Sequence, residues 1–117
     1  MFDSEELIAL GINLDEALER FMGKQSLYDR MLNKLPKAVN DYEVMEYFIS
    51  KDYKTAVENA HTLKGVTGNL SVTPLYNAYT KIVNFLRTDN PDEAQKILED
   101  ILPVQAKIIA YIEENAE

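Results

Sequence analysis

The single histidine of this 117-residue chain, His61, lies in a segment whose residue types suit phosphoryl chemistry. If the segment is helical, steps of about 100° per residue place His61, Lys64, Gly65 and Gly68 on one side. Each helical glycine costs roughly 1 kcal/mol relative to alanine, so two of them on one side need a reason. An imidazole supplies a nucleophilic nitrogen near neutral pH. The lysine adds positive charge beside it, and the glycines leave room for another molecule to approach.

This segment resembles the histidine-containing phosphotransfer domain of multistep two-component relays. The family pattern is a helix carrying His-x-x-Lys-Gly, usually preceded by alanine and followed by a Leu-Gly step. Six positions match it, namely Ala60, His61, Leu63, Lys64, Gly65 and Leu70. Ser71 stands where the family usually has the second glycine, which is a departure. The resemblance is specific in the motif and generic over the rest of residues 5–115.

The resemblance implies a phosphocarrier and not a turnover enzyme. His61 would accept a phosphoryl group through Nε2 from the aspartyl phosphate of a receiver domain and pass it to another receiver. Lys64 would stabilise charge on the transferring oxygens, while Gly65, Gly68 and Lys54 would contribute to partner docking. The docking surface would also include the N-terminal helices and an adjoining long helix. Magnesium is expected on the receiver only, so we predict no metal or other cofactor on this chain.

Two other function classes stay open on the sequence. One is a four-helix adaptor that binds signalling partners and is never phosphorylated. The other is an enzyme with a general-base histidine, although that role needs a concave site and partner groups around the ring. The partners expected for a carrier are receiver domains, with a hybrid histidine kinase as a further candidate. Replacement of His61 by Gln separates the three classes.

Composition narrows the choice of partners and compartment. The net charge of −8 argues against binding to nucleic acid or to an anionic membrane surface, because both need clustered basic residues. Residues 50–72 carry three lysines and two acids, a balance of +1, whereas residues 89–117 carry two lysines and eight acids, a balance of −6. Cysteine is absent, and no apolar run approaches the roughly 20 residues of a membrane helix. We expect a cytoplasmic, monomeric protein formed by one domain over residues 1–117.

The apolar spacing is helical along nearly the whole chain. We predict a short helix over residues 4–10 capped by Asp3 and a second that starts at Asn13, with Glu16 in the capping-box position, and ends near Gly23. A long third helix capped by Ser26 is expected, kinked or broken at Pro36. Its predicted apolar stripe is Leu27, Met31, Leu35, Val39, Tyr42, Met45 and Phe48. The later helices are expected to start after Asp52, at Thr73-Pro74 and at Asn90-Pro91, with a bend at Pro103.

Four long helices joined by short turns predict an all-α fold, an antiparallel four-helix bundle. One or two short N-terminal helices would cover one end of it. The expected inward faces of the last three long helices are as follows: Tyr53, Ala56, Ala60, Leu63, Thr67 and Leu70; Leu75, Ala78, Tyr79, Ile82 and Leu86; and Ala94, Ile97, Leu98, Ile101, Val104, Ile108 and Ile112.

Overall fold

Eight α-helices form the regular structure of residues 2–116, the part of the chain that the computed structural model describes. Residues 1 and 117 of the predicted domain lie outside the described residues. The helices are α1 (Ser4–Ala9), α2 (Leu14–Arg20), α3 (Gln25–Leu32), α4 (Leu35–Asp41), α5 (Met45–Ile49), α6 (Tyr53–Asn69), α7 (Thr73–Arg87) and α8 (Pro91–Asn115).

The three longest helices form the frame of an antiparallel four-helix bundle. Turns of three residues, 70–72 and 88–90, join α6 to α7 and α7 to α8, and each of these pairs packs along its length. Such short connections force consecutive helices to run in opposite directions. The fourth side of the bundle comes from α4 and α5, which contact both α6 and α8. The predicted all-α class and bundle architecture are therefore confirmed.

The prediction of one long third helix is wrong, because this stretch forms three short helices, α3, α4 and α5. It begins one residue before Ser26, and Lys24 occupies the N-cap position. The predicted interruption at Pro36 is confirmed: α4 starts at Leu35, so Pro36 lies in the first turn, where its missing amide hydrogen costs no helical bond. A second break follows at Tyr42, which belongs to the predicted apolar stripe but has an exposed side chain.

The predicted core is largely correct, with exceptions on each of the last three helices. Tyr53 is partly exposed, and Leu86 is only half-buried while its neighbour Val83 is fully buried. On α8, Val104 is exposed and the polar Gln105 is buried in its place. Gln105 is tolerated there because the buried Tyr79 hydroxyl donates a 2.5 Å hydrogen bond to its Oε1 atom.

Side-chain caps fix the starts of several helices. Asp3 and Asn13 accept backbone hydrogen bonds as predicted, and Asp52 accepts from the Thr55 amide at the start of the helix that carries His61. Hydrogen bonds from the Thr55 hydroxyl and amide hold the pKa of the Asp52 carboxyl below its usual value. The cap of α7 is one residue earlier than expected, at Val72, so Pro74 is its second residue.

The start of α8 is where the sequence predicts it, with Asn90 at the N-cap position and Pro91 as the first helical residue. The Asn90 side chain makes no cap hydrogen bond and instead donates to the Thr88 carbonyl at 2.8 Å. The helix runs on through Pro103 to Asn115. The bend expected at that proline stays a prediction.

The two N-terminal helices cover one end of the bundle, as predicted. The Asn13 amide donates a 2.9 Å hydrogen bond to the Ser71 carbonyl in the turn between α6 and α7. Gly11 has a φ of +95° and lies so close to Pro74 that a Cβ atom there would be 2.5 Å from the proline Cγ. The Asp3 amide donates to the Tyr111 hydroxyl at 3.0 Å. The covered end is thus the one where α6 ends, α7 begins and α8 ends.

Candidate functional site

His61 lies midway along α6, on the flank of the helix and not on its buried stripe. Its side chain is exposed, while the neighbours Ala60 and Leu63 are fully buried. Within residues 2–116 the imidazole makes no hydrogen bond and no ion pair. Both ring nitrogens are therefore open to another molecule.

The ring borders an open cleft of ≈ 510 Å³ between α6, α7 and α2. Four of the five predicted site residues line this cleft, all of them on α6: His61, Lys64, Gly65 and Gly68. Lys54 does not line it, because it lies at the start of α6, about 10 Å along the axis from His61. The structure therefore brings the His-x-x-Lys-Gly residues together and leaves Lys54 apart from them.

Lys64 is one turn beyond His61 and half-buried. In the described part of the chain its ammonium makes no ion pair, so its charge is not committed to a neighbouring carboxylate. A long side chain with a half-buried stem and a free terminal charge can place that charge in the cleft. The charge can therefore meet an anion bound beside the imidazole.

The two glycines of the motif have different surroundings. A Cβ atom at Gly65 would meet nothing within 4 Å, so the backbone next to His61 faces open space. A Cβ atom at Gly68 would lie 2.8 Å from Cδ1 and 2.9 Å from Cε1 of Tyr76 on α7. The clearance expected beside Gly68 is therefore filled by an aromatic ring, and this glycine permits a close approach within the protein. Its part in docking stays a prediction.

Two charged residues of α2 form the far rim of the cleft, beside Ser71. Arg20 Nη1 donates to the Ser71 hydroxyl at 2.8 Å and to the Asn69 carbonyl at 3.1 Å. The Ser71 hydroxyl donates to Glu16 Oε1 at 2.8 Å, and the same carboxylate oxygen is 3.5 Å from Arg20 Nη2. This closed set of contacts, called here the Glu16–Ser71–Arg20 network, holds α2 against the end of α6.

Ser71 has an unusual backbone conformation, with a φ of +55°. Ser71 lies just past the end of α6. Its amide donates to the Gly68 carbonyl, and the Val72 amide donates to the Thr67 carbonyl. That pair of hydrogen bonds defines a left-handed helix C-terminal cap, a position that favours glycine. The serine noted in the sequence as a departure thus occupies a glycine-type position, and its hydroxyl is bonded on both sides.

Sequence reasoning missed Arg20 and Tyr76 and assigned Glu16 a different contact. Half of the expected capping box is formed, because the Glu16 amide donates to Asn13 Oδ1 at 3.2 Å. The Glu16 carboxylate, however, bonds Ser71, which is 55 residues away. Contacts at that separation leave no local pattern in the sequence.

No group of three or more His, Cys, Asp or Glu side chains in residues 2–116 is arranged to hold a metal ion. None of the helices in that range has the length and apolar content required to cross a bilayer. The predicted lack of a cofactor stays a prediction.

Comparison of the chain with protein-family models, with curated proteins and with solved structures finds no match.

Replacement of Ser71 tests whether its hydroxyl offsets a strained backbone. We expect Ser71→Ala to lower the free energy of unfolding by about 1–2 kcal/mol, since it keeps the left-handed conformation and loses two hydrogen bonds. Ser71→Gly should be more stable than Ser71→Ala by about 1 kcal/mol, because glycine adopts this conformation without strain. Urea unfolding of both variants measures these differences.

Met22 supplies a matched control, since it has a φ of +56° past the end of α2 and is 76% exposed. The difference between Met22→Gly and Met22→Ala gives the conformational contribution without a hydroxyl. Equal stability of the two Ser71 variants, beside a clear difference between the two Met22 variants, would contradict the expectation.

Proposed function

We propose that this chain is a histidine phosphocarrier that moves a phosphoryl group between receiver domains of a two-component relay. The observation that carries the proposal is the exposed, unpartnered His61 beside the open backbone of Gly65. A ring in that position can be reached in line by a phosphoryl group held on another protein. The match of the segment to the His-x-x-Lys-Gly pattern supports the same function.

The transfer would proceed through one bond made and one bond broken. The neutral imidazole of His61, with its proton on Nδ1, attacks phosphorus through the Nε2 lone pair. The bond between phosphorus and the aspartyl oxygen breaks, and the carboxylate leaves with its electron pair. Transfer to a second receiver reverses these events. Because this transition state is loose, alignment and charge stabilisation supply most of the rate.

The surroundings of the ring favour a carrier over an enzyme with a general-base histidine. A catalytic base is normally oriented by a third group that bonds its other nitrogen. No side chain or carbonyl in residues 2–116 does this for His61. A carrier needs no such group, because its partner receiver supplies the magnesium, the phosphoryl donor and most of the catalytic groups. We therefore propose a monomeric cytoplasmic carrier without its own cofactor.

The direct test mixes the protein with a phosphorylated receiver domain and magnesium and measures intact mass. We expect one acid-labile phosphoryl adduct on the parent chain and none on His61→Gln. Circular dichroism of the variant should be unchanged, because the exposed ring makes no contact on which the fold depends.

A well-folded parent that gains no adduct from several receivers would contradict the carrier function. If the same parent still bound those receivers, the chain would be a four-helix adaptor. Turnover of a small substrate by the parent and not by His61→Gln would indicate an enzyme.

Lys64 should contribute to the rate of transfer and not to folding. We expect Lys64→Ala to slow single-turnover transfer by roughly 10- to 100-fold, since it removes a charge aimed at the transferring oxygens. Lys81→Ala is the matched control, because Lys81 is an exposed lysine on α7 outside the cleft. Rapid-quench kinetics would measure both variants, and equal rates would remove Lys64 from the mechanism.

Gly65 should matter for the space that it leaves. Gly65→Ala adds a Cβ atom that meets nothing within 4 Å, so we expect a transfer rate near that of the parent. Gly65→Leu should reduce the rate by at least about tenfold, because its bulk occupies the approach to His61. Both variants should stabilise α6, since alanine and leucine are better helix formers than glycine. Normal transfer by Gly65→Leu would contradict the role of the open backbone.

A further inference from the structure

We infer that Tyr76 is a docking residue of the cleft: its ring, held in place by Gly68, is a preformed anchor on which the receiver domain packs. This inference rests on the proposed function and extends it to a residue outside the His-x-x-Lys-Gly motif. It assigns to Gly68 a role in placing that ring.

The position of the Tyr76 ring is the first observation. Tyr76 is on the second turn of α7, lines the cleft with His61 and remains 38% exposed. The buried tyrosines behave differently: the Tyr28 hydroxyl donates to the Leu70 carbonyl at 2.6 Å, and the Tyr79 hydroxyl donates to Gln105. No residue in the range 2–116 bonds the Tyr76 hydroxyl. A large aromatic surface and a free phenol are thus presented together beside the proposed acceptor.

Gly68 restricts where the Tyr76 ring can lie. The ring edge occupies the space that a side chain at position 68 would need, at 2.8 and 2.9 Å from an added Cβ. Contact with the bare backbone of α6 limits the movement of the ring before any partner binds. A side chain that is already ordered loses little entropy on association, so more of its contact energy appears as affinity.

The Tyr76 ring lies within reach of an interface centred on His61. Gly68 is seven residues beyond His61, or about 10 Å along the axis of α6. A standard protein interface covers about 800 Å² on each partner, a patch roughly 30 Å across. A patch of that size centred on His61 reaches the ring that packs on Gly68, which lines the same cleft.

The chemistry of the ring indicates what it contacts. Tyrosine is enriched among the residues that dominate binding energy, because it combines a wide apolar face with a polar end. The receiver surface next to its phosphorylated aspartate would place an apolar side chain against this face. A backbone carbonyl there would accept a hydrogen bond from the free hydroxyl. Glu16 and Arg20 border the same cleft and supply the polar rim of the contact.

Single-turnover transfer at varied receiver concentration tests this assignment. We expect Tyr76→Ala to raise the half-saturating receiver concentration by about tenfold or more, with the maximal rate within about twofold of the parent. Tyr76→Phe, which keeps the ring, should raise it by about threefold. The control is Tyr42→Ala, since Tyr42 is 40% exposed and outside the cleft, and it should behave like the parent.

The role of Gly68 is tested by combining it with the first variant. Gly68→Ala should raise the half-saturating concentration because the added Cβ displaces the ring. In a Tyr76→Ala background the same change should have no further effect. An additional loss in that background would show that Gly68 contacts the receiver itself, and it would overturn the assigned pairing.

The outcomes also separate this inference from the proposed function. If the parent gains a phosphoryl adduct on His61 but Tyr76→Ala and the parent have equal half-saturating concentrations, Tyr76 is not a docking residue and the carrier function stands. If the parent gains no adduct from any receiver, the proposed function fails and this inference fails with it.

Discussion

The left-handed cap at the end of α6 is the constraint on which the rest of the site depends. Ser71 takes a backbone conformation that favours glycine, and its hydroxyl is bonded by both Arg20 and Glu16. The cap ends α6, turns the chain into α7 and fixes α2 at the same point. Because residues of α6, α7 and α2 all line the cleft, Ser71 and its two charged neighbours lie where the walls of the cleft are joined.

Gly65 and Gly68 show that glycines on one helix face can have opposite uses. Gly65 leaves an external surface open, since nothing in the protein occupies the space beside it. Gly68 leaves an internal space that the Tyr76 ring fills, so it brings α6 and α7 close together. Only Gly68 relieves crowding within the protein, although helical periodicity places both glycines on the same side of α6. Gly65 faces open space, whereas Gly68 packs against the Tyr76 ring of α7. This difference comes from the tertiary structure and cannot be predicted from helical periodicity.

The sequence predicted the local features of this protein well and its long-range features poorly. The caps at Asp3, Asn13 and Asp52 and the buried stripe of α6 follow from patterns within a few residues, so they could be recognised directly. The prediction of one long third helix was wrong because the apolar spacing continues across Tyr42, where the backbone turns. In the Glu16–Ser71–Arg20 network, Ser71 bonds Arg20, which is 51 positions earlier in the chain, and Glu16, which is 55 positions earlier. No sequence periodicity encodes contacts at such separations.

The charge of the cleft would give the proposed carrier a preference for a phosphorylated receiver while His61 is unmodified. One carboxylate and two cations, Glu16 with Arg20 and Lys64, give the lining a balance of +1 while the imidazole is neutral. Glu16 and Arg20 already form an ion pair with each other, so the ammonium of Lys64 is the positive charge available to an incoming anion. Transfer of a phosphoryl group to His61, with the proton kept on Nδ1, adds one net negative charge and cancels the positive balance of the cleft. In the proposed carrier, the empty cleft would favour a phosphorylated receiver, and the loaded cleft would lose that preference. Charge complementarity of this kind acts mainly on the rates at which partners associate and dissociate. Those rates are the ones that matter when a carrier must exchange one receiver for another.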